Sequence, residues 1–195
     1  AALSQWLRWG VATQEVWLGG IGDAQSIARQ RAARLAALLA HAAAASRVYA
    51  TRFASAPSGV AGFGQIEPIG KAELMDRFDD WVTDPEIRYD EITPFIADPQ
   101  RIGEDYLGRY TVWTSSGSTG RPGIFVQDAR ALSIYDALST LRCPAAPLAA
   151  SPLRCLAAGH RFAMIAALGG HFAGVVTWER SRRANPWLRS LTRSF

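Results

Sequence analysis

Two short runs of β-branched and aromatic residues, separated by small polar residues, constrain this chain most. The first run is RYTVWT at residues 109–114, and the second is GIFVQ at residues 123–127. Runs of this composition favour β-strands. The connection between them, SSGSTGRP, consists almost entirely of Ser, Thr and Gly followed by an Arg-Pro pair. Because helical patterns occupy most of the remaining chain, the sequence predicts an α/β fold.

A long helix is predicted at residues 24–46, a stretch rich in Ala, Leu and Arg. Asp23 is placed to cap its first turn. Its larger apolar residues recur near one helical face, while the arginines lie opposite. We therefore expect an amphipathic helix that covers a core rather than one that crosses a membrane. The residues of that face are Ile27, Leu35, Leu38, Leu39 and Ala42.

A shorter helix is predicted at residues 71–82, and its acidic residues recur at helical spacing. They are Glu73, Asp76, Asp79 and Asp80. No histidine accompanies them, so a solvated acidic face is favoured over a carboxylate metal site. Residues 90–109 contain two prolines and are predicted to form a loop with short helical turns.

The second half of the chain alternates between strand and helix patterns. Asp128 is placed to cap a helix that runs to about Leu141, with Leu132, Tyr135 and Leu138 facing inward. Residues 161–170 are predicted to begin as a buried strand or short helix, and residues 171–183 as a helix. These patterns indicate a mostly helical region at residues 1–100 and an α/β segment at residues 101–195 that contains the small polar loop at 115–123.

Composition narrows the function classes. The 195 residues are 49% hydrophobic and 19% charged, which is typical of a globular protein. The net charge of +4 is too small to indicate nucleic acid as a partner. Cys143 and Cys155 form no CxxC pattern, so we expect no metal site, reduced thiols and a cytoplasmic protein. The first residues lack an uninterrupted apolar run, so neither a signal peptide nor a membrane span is expected.

The arginines near the end of the chain could contact nucleic acid or coenzyme A phosphates. A solvated helix face is the favoured interpretation. They are Arg180, Arg182, Arg183, Arg189 and Arg193.

The loop at 115–123 has the chemistry that a phosphate group requires. Small residues let several backbone N–H groups converge on one anion, and Arg121 adds a cation with a fork of donors. The loop matches neither GxxxxGK[ST] nor GxSxG. Composition alone leaves a plain turn between strands as the alternative. Hydroxyl donors come from Thr114, Ser115, Ser116, Ser118 and Thr119.

The order of residues in TSSGSTGRPG is similar to the phosphate-binding motif of adenylate-forming enzymes, [ST]-S-G-[ST]-T-G-x-P. It is nearest to the phenylacetate–coenzyme A ligase-like branch. LLAHAAAASRVYATRF at 38–53 resembles an early helix of that branch, and LGGHFAG at 168–174 resembles a segment that lines the acyl side of its site. The resemblance runs from about residue 30 to residue 180. The segment IEPIGKAELMDRF matches the branch through Pro68, Lys71, Glu73 and Leu74.

The resemblance implies that ATP and a carboxylate, often aromatic, react to an acyl-adenylate and pyrophosphate. Coenzyme A then takes the acyl group, and Mg²⁺ assists the first step. Arg121 is implied to be an auxiliary cation, at a position where the family often has Lys. His171 is implied to border the carboxylate pocket and is the candidate catalytic residue; a histidine packed at a helix start is the alternative. The residues implied to cradle the triphosphate are Thr114, Ser115, Ser116, Gly117, Ser118, Thr119 and Gly120.

The family's later elements have no counterpart in the sequence, including its C-terminal domain with the catalytic lysine. The chain is therefore expected to be the incomplete N-terminal part of the large domain, with helices packed on a short mixed sheet. We expect that it is not competent alone and that an open sheet edge favours self-association into a homo-oligomer. Three alternatives remain: an adenylyltransferase acting on a deazaflavin coenzyme hydroxyl, a non-catalytic nucleotide- or partner-binding module, and a simple α/β domain with an ordinary turn.

Overall fold

The computed structural model describes residues 2–54, 63–115, 121–142 and 167–184. These residues form helices, one short 3-10 turn and two strands. In chain order they are α1 (Ala2–Gly19), α2 (Ala24–Ala45), α3 (Arg47–Ala54), α4 (Lys71–Asp76), α5 (Phe78–Trp81), α6 (Tyr89–Ala97), the 3-10 turn (Pro99–Arg101), β1 (Tyr110–Thr114), β2 (Ile124–Asp128), α7 (Ala129–Arg142) and α8 (Ala173–Ala184).

The sheet consists of β1 and β2, which pair in antiparallel register with Val112 opposite Val126. Thr114 at the end of β1 also forms a single parallel bridge with Phe172. The described fold is thus mixed α/β and mostly helical, as the sequence predicts. The sheet, however, is antiparallel apart from that one bridge, and so differs from the short mixed sheet that was expected.

The core lies where α4, α5 and α6 pack against the inner face of the hairpin. Phe78 and Phe95 are 2% and 1% exposed. Burying a side chain of this size stabilises a fold by about 1.5–3 kcal/mol, so these two rings anchor the helices to the sheet. The buried residues of the cluster are Met75, Phe78, Ile87, Ile92, Phe95, Tyr106, Val112 and Ile124.

Helix α2 forms where the sequence predicts it, and its cap is confirmed. The Asp23 carboxylate accepts a 2.7 Å hydrogen bond from the Ser26 amide. The prediction that this helix covers a core is wrong, because no residue of α2 is buried and Leu38 is 61% exposed. The contact with the core begins only at its end, where buried Ser46 donates to the carbonyl of Asp80 over 3.1 Å.

The predicted helix at 71–82 is divided into α4 and α5, because Arg77 leaves helical geometry at φ −116° and ψ 32°. Residues 90–109 were predicted to form a loop with short helical turns, but Tyr89–Ala97 form a continuous helix, α6, with Pro94 inside it. Ile92 and Phe95 are fully buried on one face of α6. Their burial outweighs the hydrogen bond that the proline removes.

Helix α7 follows β2 directly and packs along α1. Its predicted cap is confirmed: Asp128 accepts a 2.7 Å hydrogen bond from the Ala131 amide. Leu132 is buried as predicted. Tyr135 is 52% exposed, so its predicted inward position is wrong; its ring instead meets Trp113 of β1 edge-on at 5.6 Å.

Candidate functional site

The hairpin of β1 and β2 holds both ends of the hairpin loop, residues 115–123. Beyond the last pair of the ladder, the Ser115 amide donates to the Gly123 carbonyl over 2.9 Å. The Gly123 amide in turn donates to the Ser115 hydroxyl oxygen over 2.8 Å. A reciprocal pair of this kind fixes where the loop leaves and re-enters the sheet.

Thr114, Ser115 and Arg121 are the predicted loop residues that the structure describes. Thr114 and Ser115 are half-buried, and Arg121 is exposed. Because Ser115 Oγ is an acceptor in its bond with Gly123, its hydroxyl proton is still available to another acceptor. The remaining predicted loop residues lie outside the described part of the chain; they are Ser116, Gly117, Ser118, Thr119 and Gly120.

Arg121 is held at the exit of the loop by α4 and α6. One terminal guanidinium nitrogen pairs with the Asp76 carboxylate at 3.1 Å. Nε donates to the Tyr89 hydroxyl over 2.9 Å, and the guanidinium carbon lies 4.3 Å from the centre of the Tyr89 ring. The structure therefore fixes the predicted cation beside the loop, with its charge shared with a carboxylate.

The acidic face of α4 and α5, defined by Glu73, Asp76, Asp79 and Asp80, contacts arginines from several elements. The predicted solvated face thus also forms ion pairs with arginine side chains of this chain. Among the described residues no group of three His, Cys, Asp or Glu side chains is arranged to hold a metal ion. The pairs are Arg52–Glu73 at 3.9 Å, Arg121–Asp76 at 3.1 Å, Arg88–Asp79 at 3.1 Å and Arg47–Asp80 at 3.3 Å.

An open cleft of about 270 Å³ lies between α4, α5 and the start of α6, and Arg121 forms part of its wall. Three carboxylates from the acidic face line it, together with the Tyr89 ring. These carboxylates repel phosphate, so the cleft is chemically unlike the anion site predicted for the neighbouring loop. The lining residues are Met75, Asp76, Arg77, Phe78, Asp79, Asp80, Tyr89 and Arg121.

His171 lies just before α8 and is 1% exposed. Its Nδ1 is 3.1 Å from the Ile96 carbonyl, and its ring meets that of Phe95 at 5.3 Å. Its own carbonyl accepts a 2.7 Å hydrogen bond from the Thr114 amide. The structure thus places His171 beside the start of the hairpin loop, as a packed side chain. Its catalytic role stays a prediction.

Burial is the main cause that lowers the pKa of His171 below its ordinary value. The carbonyls of Ile96 and Arg101 oppose this shift, and the charge of Arg101 adds to it. Nε2 is buried and makes no hydrogen bond within the described residues. The neutral ring is therefore the favoured form, with the proton on Nδ1, where the carbonyl can accept it.

The arginines of α8 do not form a simple solvated face. Arg180 pairs with Asp136 of α7 at 3.3 Å, and its side chain is 19% exposed. Arg183 pairs with Glu104 at 3.3 Å and also donates to two backbone carbonyls next to the 3-10 turn. The favoured interpretation is therefore wrong for Arg180, whereas Arg183 is exposed as predicted; both join α8 to its neighbours. Arg189 and Arg193 lie outside the described residues, as do Cys143, Cys155 and residues 161–166.

The sequence did not predict that Asp76 and Tyr89 are partners of Arg121. It also did not predict the polar cluster around Asp84. Asp84 accepts hydrogen bonds from the Tyr110 hydroxyl and from Arg109, which also contacts Glu86. The helical spacing of the acids was the available signal for Asp76. No local pattern marks Asp84 as part of this cluster, because Arg109 and Tyr110 are more than twenty residues away along the chain.

Comparison with known proteins finds no match among protein-family models, curated proteins or solved structures. The resemblance to adenylate-forming enzymes therefore rests on the loop motif and its flanking segments. Within the described ranges, no helix has both the length and the apolar character needed to cross a membrane.

Proposed function

We propose that the hairpin loop binds the triphosphate of ATP. In this proposal the chain is part of an AMP-forming ligase that activates a carboxylate, often aromatic, for transfer to coenzyme A. The observation that supports it is the placement of TSSGSTGRPG. The motif begins at the end of β1, and the reciprocal bonds between Ser115 and Gly123 hold its two ends together. A loop closed in this way has its first and last residues in place before the anion arrives.

Preorganised donors matter because negative charge builds up on pyrophosphate as it leaves the nucleotide. Donors fixed in advance stabilise that charge without reorganising during the reaction. In the proposal the loop supplies backbone N–H groups and hydroxyls, and Arg121 supplies a cation from the loop exit. Mg²⁺ adds positive charge when bound to the triphosphate, and loop hydroxyls are oxygen donors of the kind that it accepts.

Isothermal titration calorimetry with ATP tests this proposal directly. Ser116→Ala and Thr119→Ala each remove one proposed hydroxyl donor. Each is expected to weaken ATP binding by about 10- to 150-fold, since a hydrogen bond to a charged group contributes about 1.5–3 kcal/mol. Ser139→Ala is the matched control, because Ser139 is an exposed serine on α7. Pyrophosphate should compete with ATP, and adenosine should not.

Two results would overturn the proposal. The first is the absence of measurable ATP binding by the unaltered, folded chain. The second is equal ATP affinity in Ser116→Ala, Thr119→Ala and the Ser139→Ala control. Circular dichroism of each variant shows whether a lost affinity reflects the loop or a lost fold.

A further inference from the structure

His171 joins two parts of the fold through one residue. Its side chain contacts the last turn of α6, where Nδ1 lies 3.1 Å from the Ile96 carbonyl. Its backbone contacts the end of β1, where its carbonyl accepts a 2.7 Å hydrogen bond from the Thr114 amide. Phe172 continues this contact through the parallel bridge to Thr114. His171 therefore links the end of α6 to the residue from which the hairpin loop starts.

The ring is neutral in this contact. The Ile96 carbonyl can only accept, so Nδ1 carries the proton and Nε2 carries a lone pair. Nε2 is buried and has no hydrogen-bond partner among the described residues. A second proton at Nε2 would keep the Nδ1 hydrogen bond, but it would place a positive charge inside the fold. Burying that charge is costly, and burial outweighs the carbonyls of Ile96 and Arg101, which favour the protonated ring.

The charged groups around the ring do not remove this cost. Asp98 at the end of α6 and the carbonyl of Arg101 favour the protonated ring, but the guanidinium charge of Arg101 opposes it, and burial remains the largest effect on the pKa. The rings of Tyr106 and His171 both pack against the ring of Phe95. The buried hydroxyl of Tyr106 also has no hydrogen-bond partner among the described residues. From β1 the contact is the uncharged backbone of Thr114, and at α8 the Phe172 carbonyl accepts from the Val176 amide.

We infer that His171 is a positioning residue: its neutral ring clasps the segment before α8 to α6, and protonation opens this clasp and frees the start of the hairpin loop. The inference does not depend on what the loop binds. The direction of the pH effect follows from the burial. A histidine whose pKa is lowered on folding stabilises the fold above its unfolded pKa, about 6.5, and this contribution is lost as the pH falls through the folded pKa.

The first experiment is a titration of the imidazole by ¹⁵N NMR on the full chain. We expect the Nδ1–H tautomer at neutral pH and a midpoint below the 6.5 or so of an ordinary histidine. A His171 midpoint at or above about 6.5, or an Nε2–H tautomer, would overturn the inference. This measurement needs no variant and so does not depend on whether a variant folds.

The second experiment measures amide hydrogen exchange at Thr114 between pH 7.5 and pH 5, corrected for the intrinsic exchange rate. In the unaltered chain we expect protection to fall at least tenfold more at Thr114 than at Trp113, whose amide faces Phe125 in the hairpin ladder. His171→Phe keeps an aromatic ring against Phe95 but cannot be protonated, so the pH dependence should disappear. His41→Phe should retain it. Persistence of the pH dependence in His171→Phe would refute the clasp.

A catalytic role for His171 gives a different result. A histidine that touches substrate would show a change in its Nε2 resonance on addition of ATP with an aryl carboxylate. A positioning residue enclosed by Phe95 and Ile96 would not. Such a change at constant pH, with no change in Thr114 exchange, would count against the clasp in favour of direct contact.

Discussion

Arg121 and Asp76 form a 3.1 Å ion pair that joins the exit of the hairpin loop to the end of α4. The pair is open to solvent, with side chains that are 42% and 71% exposed. Tyr89 holds the same guanidinium from α6. The cation proposed for phosphate binding is thus already engaged by a carboxylate, and a bound anion must share Arg121 with Asp76.

Asp76→Asn is expected to raise the affinity for ATP. The substitution removes a negative charge beside the proposed anion site while keeping the size of the side chain. Exposed ion pairs are worth about 0.2–1 kcal/mol, which corresponds to a gain of about 1.4- to 5-fold. Calorimetry at low ionic strength measures this change. Asp90→Asn, an exposed acid on α6, is the control for net charge, and equal gains in both variants would show that Asp76 has no local effect.

Asp79 caps a helix to which it does not belong. Its Oδ1 accepts a 2.7 Å hydrogen bond from the Tyr89 amide at the start of α6, and its Oδ2 pairs with Arg88 at 3.1 Å. Asp79→Ala is expected to lower the free energy of unfolding by about 0.5–2 kcal/mol. Asp79→Asn keeps a capping oxygen and should cost less. Urea denaturation compares the two, and an equal loss in both would assign the effect to the ion pair.

Alanine substitutions at Gly103 and Gly108 distinguish the cost of backbone strain from the cost of a steric clash. Both have positive φ, +80° and +67°. A Cβ at Gly108 meets nothing within 4 Å, whereas one at Gly103 would lie 2.7 Å from the Glu179 Cβ and 2.9 Å from the Arg180 amide nitrogen. Gly108→Ala should cost about 1–2 kcal/mol for the left-handed conformation alone. Gly103→Ala should cost clearly more and loosen α8; equal thermal shifts would contradict this difference.

Asp84 is expected to make stability depend on pH in the acid range. The hydrogen bond from the Tyr110 hydroxyl is the main cause that lowers its pKa, with the Glu86 amide and Arg109 adding to it. A carboxylate with a lowered pKa stabilises the fold above its unfolded pKa of about 3.9, and this contribution is lost as the pH falls through the folded pKa. Asp84→Asn should therefore be less stable at pH 7 by about 1 kcal/mol, and the difference should shrink as the pH falls through the folded pKa of Asp84.

Tyr110→Phe is the matched variant for this test, since it removes the same hydrogen bond from the other side. It should partly reduce the dependence of stability on acidic pH and leave the ion pairs of Arg109 with Asp84 and Glu86 in place. Thermal unfolding between pH 2 and pH 7 measures both variants. If the difference in stability between Asp84→Asn and the unaltered chain is the same at every pH, the pKa of Asp84 is not lowered by folding.

Local chemistry predicted the elements whose stability is mainly local. The strands were indicated by their β-branched residues. Asp23 and Asp128 mark helix starts because each carboxylate caps an amide only three residues later in the chain. The extra break at Arg77 and the helix around Pro94 were missed. Both depend on the burial of Phe78, Ile92 and Phe95, which lie close together only after the chain has folded.

The candidate site shows the same division between local and long-range signals. The order of residues in the hairpin loop is visible in the sequence, and so are the small residues and Arg121. The Asp76 and Tyr89 partners of Arg121 lie more than thirty residues earlier in the chain. No periodic pattern indicates which of the acids on α4 and α5 will meet a cation. His171 and Ile96 are still farther apart along the chain, and their contact depends on the docking of α8.

Helix α2 has 22 residues and none of them is buried. At about 1.5 Å per residue, it extends roughly 33 Å while resting on the fold mainly through the junction with α3. Most of its side chains are exposed, so packing in the described part of the fold constrains them little. For the experimenter it is a natural handle, where a spectroscopic label or a surface attachment disturbs neither the hairpin nor the clasp.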